Sequence, residues 1–172
     1  HGTCVRILRR CADRLGFPNS FTIYDQADSL SVMKRILRDM NMDDKVFPPK
    51  AMLAAAGRYK GSLVTPEEAV AAEERSGDIR RVRTAKIYAA YAKHLQDAGA
   101  MDFDDLIYYT VRLLQDEPDV LAYYQKKFRY VLIDEYQDTN HLQYLFAALM
   151  ASGSRNICVV GDDDQSIYKF RG

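Results

Sequence analysis

Two adjacent carboxylates, Asp134 and Glu135, directly follow a short apolar run at residues 130–133. The run is rich in β-branched and aromatic side chains, which predicts a strand that is buried on both faces. In an open α/β sheet, ligands bind where strands end at their carboxyl edge. A pair of acids at that edge could hold Mg²⁺ through water and draw a proton from an attacking water molecule. The alternative is that the pair simply ends a strand in solvent.

A second polar cluster follows the next apolar run, which spans residues 157–161 and closes with Gly161. An amide in such a cluster can sense a phosphate because it donates a hydrogen bond without adding charge. Aromatic side chains interleaved with cations are suited to stacking on bases beside a phosphate backbone. The cluster contains Gln165, Ser166, Tyr168, Lys169, Phe170 and Arg171.

The elements around these clusters place them at one edge of a sheet. Between the two apolar runs, Thr139 or Asn140 can cap a helix that carries an apolar face. Strand, helix and strand within residues 130–161 form one βαβ unit, whose two strands should be parallel. Both strands would therefore deliver their polar residues to the same edge.

Four segments of the chain, in this order, resemble motifs of the UvrD/PcrA/Rep family of superfamily 1 DNA helicases. Residues 134–140 resemble the Walker B segment, or motif II, and residues 161–172 resemble motif III. Residues 101–107 are similar to a DNA-contacting segment that leads back into the motor core, and residues 1–8 to the end of a further DNA-contacting motif. The resemblance covers essentially the whole chain.

The resemblance implies a nucleotide site that uses ATP and Mg²⁺. Asp134 would hold Mg²⁺ indirectly, through water. Glu135 would be the base that orients and activates the attacking water. Gln165 would contact the γ-phosphate and report its loss to the DNA site.

The resemblance also implies contacts to single-stranded and duplex DNA. His1 would lie close to the DNA, Phe103 would line a base pocket, and Tyr168 would stack on a base. Arg171 would contact the strand. Phe170 departs from the family, which commonly has tryptophan there, so stacking at this position is expected to be weaker but of the same kind.

The fold class implied by the resemblance is α/β: a partial P-loop NTPase (RecA-like) parallel sheet with a mostly α-helical inserted domain. We expect residues 1–24 and 100–172 to be parts of the first motor domain, and residues 25–99 to be a helical accessory insertion. Apolar periodicity and capping signals predict the individual helices, and residues 21–24 could be briefly extended. The predicted helices run over residues 3–15, 27–40, 49–59, 66–76, 79–96, 103–114 and 118–127.

Composition sets few limits on function. The 24 Lys and Arg residues balance the 24 Asp and Glu residues, so net charge argues neither for nor against nucleic acid. There is no apolar run near 18 residues and no signal-like N-terminus, which predicts a soluble, intracellular parent protein away from membranes. The resemblance implies a cytoplasmic location that is bacterial-type and nucleoid-associated. The three cysteines favour reduced thiols over disulfides or zinc, and Cys158 is expected in the core.

The expected function is part of an ATP-dependent DNA helicase that translocates on single-stranded DNA and unwinds duplex DNA, with 3′-to-5′ polarity implied only by the resemblance. The sequence contains no Gly-x-x-x-x-Gly-Lys-Ser/Thr phosphate loop. In the family that loop lies before the point where this chain begins, and the second motor domain lies beyond Gly172. We therefore expect a fragment that hydrolyses no ATP by itself, while the parent protein could work with repair or replication proteins.

Three alternatives remain open. The chain could be a non-catalytic DNA-binding module that uses the basic cluster of Arg80, Arg81, Arg83 and Lys86, although such clusters are usually solvated helix faces. It could be the motor piece of a helicase–nuclease recombination complex. A metal-dependent nuclease using residues 162–164 with Asp134 is the third, because two-metal sites also use clustered acids.

Overall fold

Helices dominate the computed structural model, which describes residues 1–161 apart from the Asp138 side chain. The chain divides into two compact units, one over His1–Leu106 and a second that begins at Ile107. Both small sheets are parallel, so the predicted mixed α/β class is confirmed. The helices are α1 (Gly2–Cys11), α2 (Gln26–Asp39), α3 (Pro49–Gly61), α4 (Pro66–Ser76), α5 (Ile79–Asp97), α6 (Phe103–Asp116), α7 (Pro118–Lys127) and α8 (His141–Ala151), with 3₁₀ turns at Ala12–Leu15 and Tyr136–Asp138. The strands are β1 (Thr22–Ile23), β2 (Ala100–Met101), β3 (Val131–Ile133) and β4 (Ile157–Val159).

The predicted helices are all present, and their ends agree to within two residues when the first 3₁₀ turn is counted with α1. The start of α4 shows why. The Thr65 hydroxyl accepts the Glu68 N–H at 3.2 Å, and the Glu68 carboxylate accepts the Thr65 N–H at 2.9 Å. This reciprocal capping satisfies two backbone donors that a helix start otherwise leaves open. Helix capping of this kind can be predicted from the sequence.

Helices α2 to α5 share one apolar core in the first unit. Tyr88 and Tyr91 of α5 are buried in it, as their helical spacing predicts. The Tyr59 ring of α3 stacks on Tyr88 with centroids 5.2 Å apart, and its hydroxyl donates to the buried carboxylate of Glu73 in α4. Polar contacts therefore complete the core where three helices meet.

A pair of short parallel strands frames these helices. Thr22 pairs with Ala100 and Ile23 with Met101, so the chain leaves β1 for the helices and returns to β2 beside it. Strand β2 was not predicted, because two residues are too few to show the alternation of a strand. The domain limits at residues 24 and 99 remain a prediction.

The second unit contains the predicted βαβ arrangement. Val131 pairs with Ile157 and Ile133 with Val159 in parallel register, and α8 connects the two strands. Asn140 caps α8, since its side chain accepts the Gln143 N–H at 2.9 Å. The parallel pairing of this unit is confirmed.

Two burial predictions for this unit are wrong. Strand β3 is not buried on both faces, because Leu132 is 69% exposed. Cys158, its partner in the register, is exposed rather than part of the core. Side chains alternate along a strand, and Ile133 and Val159 line a cavity with α8 while Leu132 and Cys158 belong to the opposite face. In residues 1–161 that opposite face has no covering layer.

Within residues 1–161, none of the three cysteines forms a disulfide. No helix among the described residues combines the length and the apolar character that crossing a bilayer requires.

Candidate functional site

The predicted acidic pair lies at the carboxyl end of β3. Both Asp134 and Glu135 are exposed, and the Asp134 carboxylate accepts the Glu135 N–H at 3.0 Å. Gln137 donates a hydrogen bond to the Glu135 carboxylate. Glu135 has a φ of +53°, in the left-handed region that residues with a Cβ rarely adopt. The chain thus turns sharply after the strand and leaves both carboxylates in solvent.

The end of β4 lies at the same edge. The Val160 N–H donates to the Ile133 carbonyl at 2.8 Å, and the Tyr136 N–H donates to the Val160 carbonyl at 3.0 Å. A Cβ on Gly161 would lie 3.2 Å from the Tyr136 Cβ, so the two chain segments approach closely as they leave the sheet. The predicted convergence of the two strand ends is confirmed up to Gly161.

The chemistry of this edge suits a magnesium nucleotide. Carboxylate oxygens are the hard ligands that Mg²⁺ prefers, and a few carboxylates with several waters are its usual protein environment. Strained backbone is often found at functional sites, and Glu135, one of the two acids, has such a conformation. Across residues 1–161 there is no group of three or more His, Cys, Asp or Glu side chains that could hold a metal by themselves.

Several predicted site residues lie outside the described residues. They are Gln165, Tyr168, Phe170 and Arg171, together with the acids at residues 162–164. Their roles remain predictions from the resemblance.

In the first unit, the structure brings together two predicted DNA contacts that are far apart in sequence. The rings of His1 and Phe103 meet edge to face, with centroids 6.0 Å apart and an angle of 74° between the planes. Phe103 is 49% exposed although it is aromatic, so one part of the ring is free to meet a ligand. The two residues therefore lie side by side in the first unit.

A cavity of about 730 Å³ adjoins Phe103. Leu30, Leu53 and Ala54 give it an apolar lining, while Lys50 and Asp104 supply charged groups. Burial raises the pKa of Asp104, and the nearby charge of Asp102 adds to that increase. A flat, partly apolar molecule with polar edges would fit such a lining.

Sequence reasoning missed a buried ion cluster beside Phe103, which we call the Lys60 cluster: Lys60, Tyr91, Asp102 and Asp105. The Lys60 ammonium lies 2.8 Å from a carboxylate oxygen of Asp102 and 2.8 Å from one of Asp105. The Tyr91 hydroxyl donates to the same Asp102 oxygen at 2.9 Å. The Lys60 side chain is only 2% exposed. Lysine at a helix end usually extends into solvent, so the sequence gives no signal for this arrangement.

The two aspartates of the Lys60 cluster also cap α6. The Asp105 N–H donates to Asp102 at 2.8 Å, and the Asp102 N–H donates to Asp105 at 3.1 Å. The sequence predicts that Asp102 is the cap, and this is confirmed. Phe103 directly follows the cap residue Asp102 and is the first residue of α6.

The pKa values of the Lys60 cluster follow from burial and charge. Burial alone would lower the pKa of Lys60, but the carboxylates of Asp105 and Asp102 outweigh it and raise that pKa. Burial would raise the pKa of Asp102, yet the Lys60 charge and hydrogen bonds lower it below its usual value. For Asp105, burial dominates and raises the pKa to about 7, although Lys60 opposes the change. Of the two acids, Asp105 is therefore the one whose pKa lies close to neutral pH.

The basic cluster on α5 is partly neutralised. Arg81 forms an ion pair with Glu73 at 2.8 Å, and Lys86 forms one with Glu74 at 3.3 Å. Arg80 donates to the Val46 carbonyl. Cations that already have partners offer less charge to a phosphate backbone, so the role of this face in duplex binding stays a prediction.

We expect Glu135→Gly to be more stable than Glu135→Ala by about 1 kcal/mol, because only glycine adopts a positive φ without a steric cost. Both variants lose the carboxylate and the hydrogen bond from Gln137, so their difference isolates the backbone. Urea unfolding would measure it. At the neighbouring Asp134, whose φ is not positive, the order should reverse, with Asp134→Gly below Asp134→Ala. The same order at both positions would contradict the strained turn.

We expect the stability of the chain to depend on pH through Asp105. Because its folded-state pKa is about 7, against an ordinary value of 3.8, the folded state binds more protons than the unfolded state between about pH 4 and 7. The contribution of Asp105 to the free energy of unfolding therefore falls as pH rises through this range.

Urea unfolding at pH 5 and pH 7.5 would test this dependence. The unchanged chain should lose at least about 1 kcal/mol more than Asp105→Asn does over this interval. Asp97→Asn, at an exposed position on α5, should behave like the unchanged chain. Equal pH dependence in all three proteins would show that Asp105 does not titrate in this range.

Comparison with known proteins identifies the family of this chain. The family model described as the UvrD/REP helicase N-terminal domain matches residues 1–172. The chain is 46% identical, over its full length, to the ATP-dependent DNA helicase PcrA of Staphylococcus aureus (strain Mu50) and to that of Staphylococcus epidermidis (strain ATCC 12228). It spans 23% of the length of each of these relatives. The chain therefore belongs to the UvrD/REP helicase N-terminal domain family.

Proposed function

We propose that this chain is part of the first motor domain of an ATP-dependent DNA helicase that moves along single-stranded DNA in the 3′-to-5′ direction and unwinds duplex DNA. The observation that carries the proposal is the acidic pair Asp134–Glu135, exposed on a strained turn where two parallel strands end. The relatives are named ATP-dependent DNA helicases and are bacterial, which supports the activity and a cytoplasmic setting at the DNA.

The sheet of this chain would belong to a RecA-like P-loop domain. Its two described pairs of parallel strands are consistent with such a domain, and the uncovered face of β3 and β4 is suited to further layers of the same motor. An exposed apolar face on a two-stranded sheet is unfavourable unless other parts of the protein cover it.

In the proposed site, the Asp134 carboxylate would hold Mg²⁺, and the Glu135 carboxylate would take up the proton of the attacking water. Gln165 senses the terminal phosphate. When bound, ATP would supply the phosphoryl group, and Mg²⁺ would offset the negative charge of that group. Catalysis of this class depends mainly on positioning and electrostatic stabilisation. The hydrogen bond from Gln137 would help to fix the direction of the Glu135 carboxylate.

The DNA side of the proposal uses the His1–Phe103 surface. One free ring face can stack on a base without reading its sequence, which suits a motor that moves along any strand. Tyr168, Phe170 and Arg171 would extend the contact. Translocation then requires that ATP hydrolysis at the strand ends changes the affinity of these residues for the bases.

The proposed role of Glu135 predicts that Glu135→Gln in the intact motor protein lowers DNA-stimulated ATP hydrolysis by about 100-fold or more, because the substitution removes the base. Affinity for single-stranded DNA should stay within about twofold, since an amide of the same shape leaves the fold unchanged. Glu67→Gln, on the exposed side of α4, is the matched control and should keep full activity. ATP hydrolysis by Glu135→Gln at the rate of the control would refute the proposed site.

A further inference from the structure

The direction in which Phe103 points depends on the first turn of α6. Phe103 is the first residue of that helix, and it is 49% exposed. The flanking residues Asp102 and Asp105 fix the backbone on either side, through their reciprocal hydrogen bonds. A change in this capping would therefore move the aromatic ring.

The capping carboxylates are themselves buried, with side chains 12% and 4% exposed for Asp102 and Asp105. Each carboxylate uses one oxygen for capping and presents the other to Lys60. Buried charges persist only when they are paired and hydrogen-bonded. Within residues 1–161, no buried side-chain nitrogen or oxygen lacks a hydrogen-bond partner. Lys60 is thus the positive charge that both capping acids contact.

Lys60 belongs to α3, which also approaches α6 at a second point. A Cβ on Gly57 would lie 2.9 Å from the Asp104 carboxylate, so only glycine allows this approach without a shift. Residues three apart share one face of a helix, which places Gly57 and Lys60 on the side of α3 that meets the first turn of α6. The close contact at Gly57 and the Lys60 cluster therefore hold the first turn of α6 against α3.

We propose that Lys60 is a positioning residue for the DNA-contact aromatic Phe103, acting through the Asp102–Asp105 cap of α6. This inference rests on the proposed function only in taking Phe103 as a DNA contact. Lys60 itself touches no ligand. It connects the helices between β1 and β2 to the ring that would meet a base, so a shift of α3 would be transmitted to the DNA contact.

The chain contains no tryptophan, so Phe103→Trp introduces a single fluorescent reporter at the site. In that background, Lys60→Met should shift the emission to longer wavelength and increase acrylamide quenching, because uncompensated acids leave the cap and release the ring. Lys93→Met on the exposed face of α5 removes the same charge and should leave the spectrum unchanged.

A triple variant, Lys60→Met with Asp102→Asn and Asp105→Asn, separates positioning from core stability. Asparagine side chains can still accept the capping N–H groups but no longer need a counter-charge. The triple variant should therefore restore the emission and quenching of the reporter. Circular dichroism and urea unfolding would record folding in each variant.

Single-stranded oligo(dT) at low salt is the ligand probe. Lys60→Met should weaken binding about tenfold, which corresponds to about 1.4 kcal/mol and to the loss of one base stack. The triple variant should recover most of that affinity, and Lys93→Met should change it far less.

The outcomes separate the two ideas. If the emission of the reporter changes in Lys60→Met and the triple variant restores it, the positioning role is supported. This conclusion holds even if added oligo(dT) does not quench the indole fluorescence. Absence of that quenching would instead refute the proposed DNA contact. An unchanged reporter in folded Lys60→Met overturns the positioning role. Unfolding of both Lys60→Met and the triple variant also overturns it, because Lys60 would then hold the core rather than the cap.

Discussion

A buried ammonium between two buried carboxylates is the constraint on which the first unit depends. Removing one partner from such a cluster leaves an uncompensated charge and costs about 3–5 kcal/mol. The cluster lies where α3, α5 and the start of α6 meet, so Lys60, Tyr91, Asp102 and Asp105 secure the return of the chain from the helices to β2 and α6. Phe103 follows directly from that junction. The same contacts therefore stabilise the fold and set the direction of the proposed base contact.

The second unit shows a different balance. Its strand ends carry the proposed nucleotide site, while its sheet exposes apolar side chains such as Leu132 on one face. The acids stay in solvent because Glu135 accepts a positive φ, and Gly161 allows the adjacent strand end to pass close by. The proposed nucleotide site depends on these two strands, which end at one edge of the sheet.

The parts of this structure that depend on local chemistry were predictable, and those that depend on distant partners were not. Capping by Thr65 and Asn140 and the parallel βαβ pairing follow from residues that are close in sequence. The burial of Lys60 depends on aspartates more than 40 residues away, and no property of residue 60 indicates it. The exposure of Cys158 was mispredicted for the converse reason, since an apolar strand looks the same in sequence whether or not a second layer covers it.

The most direct test of this account is ¹H–¹⁵N NMR of the lysine ammonium groups, with the Lys60 signal assigned by its loss in Lys60→Met. Buried and hydrogen-bonded to two carboxylates, the Lys60 ammonium should exchange slowly with water and remain visible at neutral pH. The exposed ammonium of Lys93, paired only with Asp97 on the same helix, should be lost to exchange under the same conditions. A Lys60 signal that exchanges as fast as that of Lys93 would contradict the buried cluster and the positioning of Phe103 that depends on it.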